Sequence, residues 1–194
     1  MTKIVGLTGG IGSGKSTIAK HIQSFGIPVY FTDDEAKKML ALPNVIKALT
    51  NTFGSAILEH NRISKEKLAE MVFTSPEQLK KLNAIIHPAV KLDFETWLEF
   101  NKKAPLIVKE SALLFESEAY KNCDVIITVV APLEVRIKRV MERDHTTYDQ
   151  VMNRVNNQWT DEKRIAKSDY VIINEHLDMA LTQADTIFKQ LTKI

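Results

Sequence analysis

The sequence has 194 residues, of which 44% are hydrophobic and 26% are charged, and its formal net charge is +2. These values are typical of one globular α/β domain, and the near-neutral charge favours neither a nucleic-acid nor a membrane partner. The single cysteine, Cys123, excludes an internal disulfide and predicts a buried thiol in a reducing compartment. With no membrane-length apolar run and no signal-peptide pattern, we expect a cytoplasmic protein.

The first informative stretch is a glycine-rich loop between a strand-like run and a helix-like run. Gly9, Gly14, Lys15 and Ser16 have the spacing G-x-x-x-x-G-K-S/T of a phosphate-binding P-loop. Glycines let consecutive N–H groups point at one anion, and the following helix adds its positive dipole end. Lys15 would contact the β/γ-phosphates and the Ser16 hydroxyl would bind Mg²⁺. The predicted nucleotide-binding residues are Gly10, Ile11, Gly12, Ser13, Gly14, Lys15, Ser16 and Thr17.

A second short strand, 27–31, leads into a polar stretch that begins at Thr32. The carboxyl ends of parallel strands form the ligand crevice of an open α/β sheet, so Asp33 is a candidate to face the transferred phosphate. The alternative is that these residues only cap the next helix, and Asp34 suits that role better than Asp33 does.

Residues 33–103 have a helical pattern that is too long for a connection between two strands. Helices are predicted near 34–42, 44–53, 65–74, 76–86 and 88–102, with Pro88 beginning the last one. We expect this insertion to be a substrate-binding lobe. The alternative is that it only adds packing to one face of the sheet.

The remaining strands are predicted at 105–109, 124–131 and 170–174, followed by an amphipathic helix. Glu110 ends the first of them, where P-loop proteins place a second metal-binding group, although acids at strand ends are common. A helix opened by Pro132 carries several basic residues, and each one singly is expected on a solvated face, Arg136 included. Arg139 and Arg143 are four apart and can point into one cleft, as in a lid that balances phosphoryl charge.

Several nucleotide-binding classes lack support in this sequence. It has no Asn/Thr-Lys-x-Asp guanine motif, no Asp-x-x-Gly and no transporter-type Leu-Ser-Gly-Gly. A small-molecule kinase is therefore the leading interpretation. A shikimate-kinase-like enzyme and a non-catalytic nucleotide switch are the alternatives.

The motifs, taken together in order and spacing, resemble the dephospho-coenzyme A kinase family. The similar stretches are 6–17, Asp33, Ile-His-Pro at 86–88, Glu110, Leu-Leu-Phe-Glu at 113–116, Arg-x-x-x-Arg-Asp at 139–144, Arg154 with Gln158, and 169–174. Three positions depart from the family pattern, namely Phe31 for the first Asp of D-x-D, Lys37 for Arg and Ala112 for Pro. Lys37 keeps the charge but loses the bidentate geometry of arginine.

The resemblance implies ATP-dependent phosphorylation of the ribose 3′-hydroxyl of dephospho-coenzyme A, the last step of coenzyme A biosynthesis. It implies ATP and Mg²⁺ as cofactors and a monomer or weak homo-oligomer. The implied catalytic residues are Asp33, Lys15, Arg139 and Arg143, the substrate-binding residues are His87, Lys37 and Glu116, and the metal-binding residues are Ser16 and Glu110.

The implied architecture is a three-layer α/β/α P-loop nucleoside triphosphate hydrolase fold with a parallel five-stranded sheet. We expect a nucleotide-binding core at 1–32, 104–135 and 168–194, a helical dephospho-coenzyme A lobe at 33–103 and a helical lid at 136–167.

Overall fold

A five-stranded parallel sheet forms the centre of the nucleotide-loop unit. In this computed structural model, residues 2–73 and 75–192 are described, Phe73 by its backbone alone. They fall into two compact units, Met1–Phe31 with Asn101–Ile194, and Thr32–Phe100. The described strands are β1 (Lys3–Thr8), β2 (Val29–Phe31), β3 (Leu58–Glu59), β4 (Arg62–Ile63), β5 (Leu106–Glu110), β6 (Val125–Val130) and β7 (Tyr170–Ile173).

The sheet has the order β2-β5-β1-β6-β7, and each neighbouring pair is parallel. This confirms the predicted five-stranded parallel sheet. Because all strands run the same way, their carboxyl ends meet at one edge. The loops after β1, β5, β6 and β7 therefore start from the same side of the first unit.

Helices cover both faces of the sheet, as the apolar character of β1 and β6 requires. The described α-helices are α1 (Lys15–Ser24), α2 (Thr32–Met39), α3 (Pro43–Phe53), α4 (Lys65–Phe73), α5 (Pro76–Phe100), α6 (Leu133–Asp144), α7 (Tyr148–Asn156), α8 (Asp161–Ile165) and α9 (Leu177–Thr192). The main core joins Val5 and Leu7 of β1 to α1 and α9.

The opposite face of β1 shows why glycine is required within a central strand. Side chains alternate along a strand, so Gly6 points away from the core formed by Val5 and Leu7. A Cβ atom at Gly6 would lie 2.7 Å from Leu114 Cδ2 and 2.9 Å from Cys123 Sγ. The missing side chain therefore lets the layer that contains Leu114 and Phe115 approach the sheet.

The second unit, Thr32–Phe100, is built by α2, α3 and α4 packing on α5. The predicted helix break at Pro88 was wrong, because α5 continues through it. Proline removes one backbone donor and usually kinks a helix. Here Ile86, Val90 and Phe94 are buried on one face on both sides of Pro88, so packing holds the two halves in one helix.

A small antiparallel hairpin in the second unit was not predicted. β3 and β4 pair through Leu58 with Ile63 and Glu59 with Arg62. His60 and Asn61 form its turn with φ values of 48° and 61°, a left-handed conformation in which asparagine and histidine are enriched. No helix within the described ranges is long and apolar enough to span a membrane.

Candidate active site

The loop after β1 has the backbone conformation that its glycines predict. Gly12 and Gly14 have φ values of 77° and 91°, which favour a residue without Cβ. A Cβ at Gly14 would also overlap the Asn174 amide nitrogen. Gly14 is the N-cap of α1 and supplies no side-chain cap to that helix. Helix α1 therefore begins with uncapped N–H groups and a positive dipole end, which is an anion-binding arrangement.

The N–H groups of the loop divide into two sets. Ile11 donates to Gln158 Oε1 at 2.9 Å and Ser13 donates to the Gly10 carbonyl at 3.0 Å. Within the described chain, the N–H groups of Gly12, Gly14, Lys15 and Ser16 have no protein acceptor. These four free donors sit where the motif predicts a triphosphate. Contacts of individual loop residues with a nucleotide stay predictions.

Lys15, Ser16 and Glu110 are brought together at the edge of the sheet. The register places Leu7 of β1 beside Glu110, the last residue of β5. The P-loop, which follows β1, therefore begins next to Glu110. Ser16 Oγ donates to Glu110 Oε1 at 3.1 Å, and Lys15 Nζ lies 3.6 Å from the same oxygen. The Glu110 side chain is only 3% exposed. A carboxylate buried to this degree requires a cationic neighbour, and Lys15 supplies it.

The donor set of this cluster suits magnesium. Mg²⁺ prefers hard oxygen ligands and is usually held by one or two protein groups together with substrate phosphates. The Ser16 hydroxyl and the Glu110 carboxylate are such ligands. The described residues contain no group of three or more His, Cys, Asp or Glu side chains that could hold a metal.

Three side chains from later in the sequence form hydrogen bonds with the P-loop backbone. Gln158 accepts from the Ile11 N–H, and Arg136 Nε donates to the Ile11 carbonyl at 3.0 Å. Asn174, which follows β7, donates from Nδ2 to the Ser13 carbonyl at 2.7 Å. The expectation of a solvated Arg136 was wrong, because its side chain is 7% exposed. The signal was present in the sequence, since Arg136 shares a helical face with the buried Val140.

A buried charge network continues from Arg136 and was not predicted. Asp161 accepts from Arg136 at 2.8 Å through Oδ2 and from Arg164 at 3.1 Å through Oδ1. Glu116 Oε1 accepts from the Trp159 N–H at 2.8 Å and lies 3.4 Å from Arg164 Nη2. Desolvation lowers the pKa of Arg164. Glu116, predicted to bind substrate, therefore accepts hydrogen bonds from Trp159 and Arg164 within the first unit.

The two predicted lid arginines have separate partners. Arg139 donates to the carbonyls of Asn174 and Glu175 at 3.1 and 3.4 Å. Arg143 is exposed and forms two hydrogen bonds with the neighbouring Asp144. Arg143 and, in second place, Arg154 lower the pKa of Asp144 to about 2. The structure therefore does not join Arg139 and Arg143 in one cluster, and their lid role stays a prediction.

The other predicted residues lie in the second unit. Asp33 is exposed in the first turn of α2, two residues after the end of β2. Lys37 Nζ pairs with Asp34 Oδ1 at 2.7 Å on the surface. His87 lines a groove of about 500 Å³ along α5 with Pro76, Leu79, Lys80, Asn83, Ala84 and Pro88. Desolvation by burial lowers the His87 pKa, which favours the neutral ring.

Comparison with known proteins identifies the family of this chain. The family model described as dephospho-CoA kinase matches residues 3–178. A dephospho-CoA kinase from Fusobacterium nucleatum is 41% identical over 172 residues, which span 88% of this chain and 89% of that protein. One from Bacteroides fragilis is 38% identical over 172 residues, with 88% and 84% covered.

Solved structures share the fold of this chain. A dephospho-CoA kinase from Campylobacter jejuni superposes with a TM-score of 0.73 and 25% identity over 100% of this chain and 98% of that one. A crystal structure from Thermus thermophilus has a TM-score of 0.89 and 34% identity, with 98% of each chain covered. A shikimate kinase from Acinetobacter baumannii shares the fold, with a TM-score of 0.58. It is 12% identical, and 98% of this chain and 93% of that one are covered. This chain belongs to the dephospho-CoA kinase family.

Proposed function

We propose that this protein transfers the γ-phosphoryl group of ATP to the ribose 3′-hydroxyl of dephospho-coenzyme A, giving coenzyme A and ADP. The observation that carries the proposal is the uncapped N-terminus of α1, with Lys15 and Ser16 beside the buried Glu110. Membership of the dephospho-CoA kinase family is the reason for proposing dephospho-coenzyme A as the phosphoryl acceptor. We propose that the reaction takes place in the cytoplasm, as the last step of coenzyme A biosynthesis, by a monomer or weak homo-oligomer.

The donor half of the reaction rests on charge and positioning. Phosphoryl transfer has a loose transition state, so fixed donors that hold the β- and γ-phosphates contribute more than covalent chemistry does. The free N–H groups at Gly12, Gly14, Lys15 and Ser16 supply such donors, and Lys15 Nζ adds a positive charge. Ser16 and Glu110 would hold Mg²⁺, which neutralises phosphate charge when bound.

The acceptor half is assigned to Asp33. A carboxylate oxygen accepts hydrogen bonds, so the Asp33 side chain can bind a hydroxyl group. Its chain position supports this role, because it lies two residues after the end of β2. Asp33 would orient the 3′-hydroxyl and take its proton late in the transfer.

The remaining roles are also proposals. Residues 33–103 would bind dephospho-coenzyme A through His87 and Lys37, and Glu116 would bind it from outside that segment. Residues 136–167 would form the lid, with Arg139 and Arg143 balancing charge on the transferring group and excluding water. For Arg143 this requires leaving Asp144, to which it donates two hydrogen bonds.

The test is an acceptor panel in which ADP release is measured with dephospho-coenzyme A, AMP and shikimate under identical Mg²⁺ and ATP concentrations. Release that depends on dephospho-coenzyme A supports the proposal. Release with AMP or shikimate alone would assign another small-molecule kinase. No release with any acceptor would favour a non-catalytic nucleotide switch.

A further inference from the structure

One residue of the P-loop, Ile11, is bound through its backbone and its side chain by later stretches of the chain. Its N–H and its carbonyl are bound by the side chains of Gln158 and Arg136, at 2.9 and 3.0 Å. Its side chain packs beside the cluster of Ile137, Val140 and Val151 on α6 and α7. The two hydrogen bonds join residues 147 and 125 positions apart in sequence. The loop conformation at Ile11 therefore depends on tertiary contacts as well as on local glycines.

The planarity of the peptide bond gives these contacts a consequence for phosphate binding. The Ile11 carbonyl and the Gly12 N–H belong to one planar peptide unit, in which they point in opposite directions. When Arg136 holds the carbonyl on one side, the Gly12 N–H is directed to the other side. That N–H is one of the donors without a protein acceptor. Gln158 likewise fixes the preceding peptide unit, which contains the Ile11 N–H and the Gly10 carbonyl.

The Arg136 guanidinium is itself fixed in place. Its Nη1 donates to Asp161 Oδ2 at 2.8 Å, and the side chain is 7% exposed. It also lies against the loop backbone, because a Cβ at Gly10 would overlap the guanidinium group. An arginine that donates in two directions at once has little freedom to turn, so the carbonyl that it holds is fixed as well.

We infer that Arg136 and Gln158 are positioning residues that orient the two peptide groups flanking Ile11 for triphosphate binding before the nucleotide arrives. The inference rests on the proposed function only in that the P-loop binds a nucleoside triphosphate, and it does not depend on the acceptor. Neither side chain needs to touch the nucleotide. Both act through the backbone of Ile11.

The experiment measures the binding of a non-hydrolysable ATP analogue with Mg²⁺ and without acceptor, by isothermal titration calorimetry. Gln158→Met keeps the length of the side chain, Arg136→Met keeps most of its aliphatic part, and each removes the hydrogen bond to Ile11. Each is expected to raise Kd about tenfold, the effect of losing one well-placed hydrogen bond. Because both act on the same residue, the double variant should bind more tightly than the product of the two single effects predicts.

Arg164→Met is the matched control. It removes the other arginine bound to Asp161, and no hydrogen bond or ion pair of Arg164 in the described chain goes to the P-loop. We expect it to lower the melting temperature while Kd for the analogue stays within about twofold of wild type, because Arg136 keeps its hydrogen bonds to Ile11 and Asp161. Arg136→Met leaves Asp161 paired with Arg164, so each variant removes one of the two arginines that Asp161 binds.

Two results would overturn the inference. One is wild-type Kd in both Arg136→Met and Gln158→Met. The other is an equal rise of Kd in Arg164→Met, because the effect would then follow stability rather than loop orientation. Wild-type protein that binds the analogue but phosphorylates no dephospho-coenzyme A would contradict the proposed function and leave this inference standing.

Discussion

Ser16 and Glu110 are joined by a 3.1 Å hydrogen bond between the Ser16 hydroxyl and Glu110 Oε1. They come from different parts of the chain, 94 positions apart, and meet because β1 and β5 are neighbouring parallel strands. Lys15 lies 3.6 Å from the same carboxylate oxygen. One buried acid thus orients both the hydroxyl and the ammonium group that the proposed reaction needs.

Replacing Glu110 tests its role toward magnesium. Glu110→Gln keeps the shape and removes the charge, so the Mg²⁺ concentration for half-maximal activity should rise about tenfold or more, as for other residues that orient metal ligands. The measurement is a Mg²⁺ titration of ADP release at saturating ATP. Glu118→Gln is the control, because Glu118 pairs with Lys121 on the surface. An unchanged Mg²⁺ dependence in Glu110→Gln would remove Glu110 from the metal site.

Asp33 is tested by its neutral isostere. Asp33→Asn should lower kcat about tenfold or more because it removes the group proposed to orient the acceptor hydroxyl. The Kd for an ATP analogue should stay at the wild-type value. Asp34→Asn is the matched control, since Asp34 is the adjacent acid and pairs with Lys37 on the surface. Equal turnover in Asp33→Asn and wild type would show that this carboxylate is not needed.

His87 is expected to bind the acceptor as a neutral ring. Desolvation lowers its pKa from the usual 6.5. The ring therefore gains a proton only at a lower pH than a free histidine does. KM for dephospho-coenzyme A should therefore be constant between pH 7 and 8 in wild type. His87→Leu should raise this KM about tenfold, the effect of one lost hydrogen bond to a charged ligand, and leave KM for ATP unchanged. A rise in both constants, or in neither, would contradict the assignment.

Cys123 is predicted to be unreactive in the folded protein. Burial raises its pKa to about 11, and the thiolate is the reactive form. Labelling by a thiol reagent at pH 8 should be on the order of 10²-fold slower in native than in urea-unfolded protein. The rate for native protein should increase as the pH approaches 11. Equal rates in the two states at pH 8 would show an accessible thiolate.

The parts of the site that could be predicted are those encoded by neighbouring residues. The P-loop follows from glycines, a lysine and a serine within eight positions, and the strands follow from short apolar runs. Glu110 was identifiable because it ends such a run. The capping box of Thr147 with Gln150 is a local pattern of the same kind, and the structure contains it.

The features that were missed depend on contacts between distant residues. Arg136 reads as one of several charges on a helix, and only the fold shows that Asp161 and Ile11 bind it. Pro88 carries a local signal for a helix break, but the packing of α5 in the second unit outweighs it. Sequence periodicity contains no information about which partner a buried charge will meet.

The most direct test of the central claim is to identify the product by ³¹P NMR after incubation with ATP, Mg²⁺ and dephospho-coenzyme A. The account predicts one new phosphate monoester, on the ribose 3′-oxygen, formed together with ADP. Lys15→Met should form little of it, with a rate loss on the order of 10²–10³-fold, whereas Lys20→Met on the exposed side of the same helix should match wild type. ADP formation without a new ester, or an ester at another position, would contradict the account.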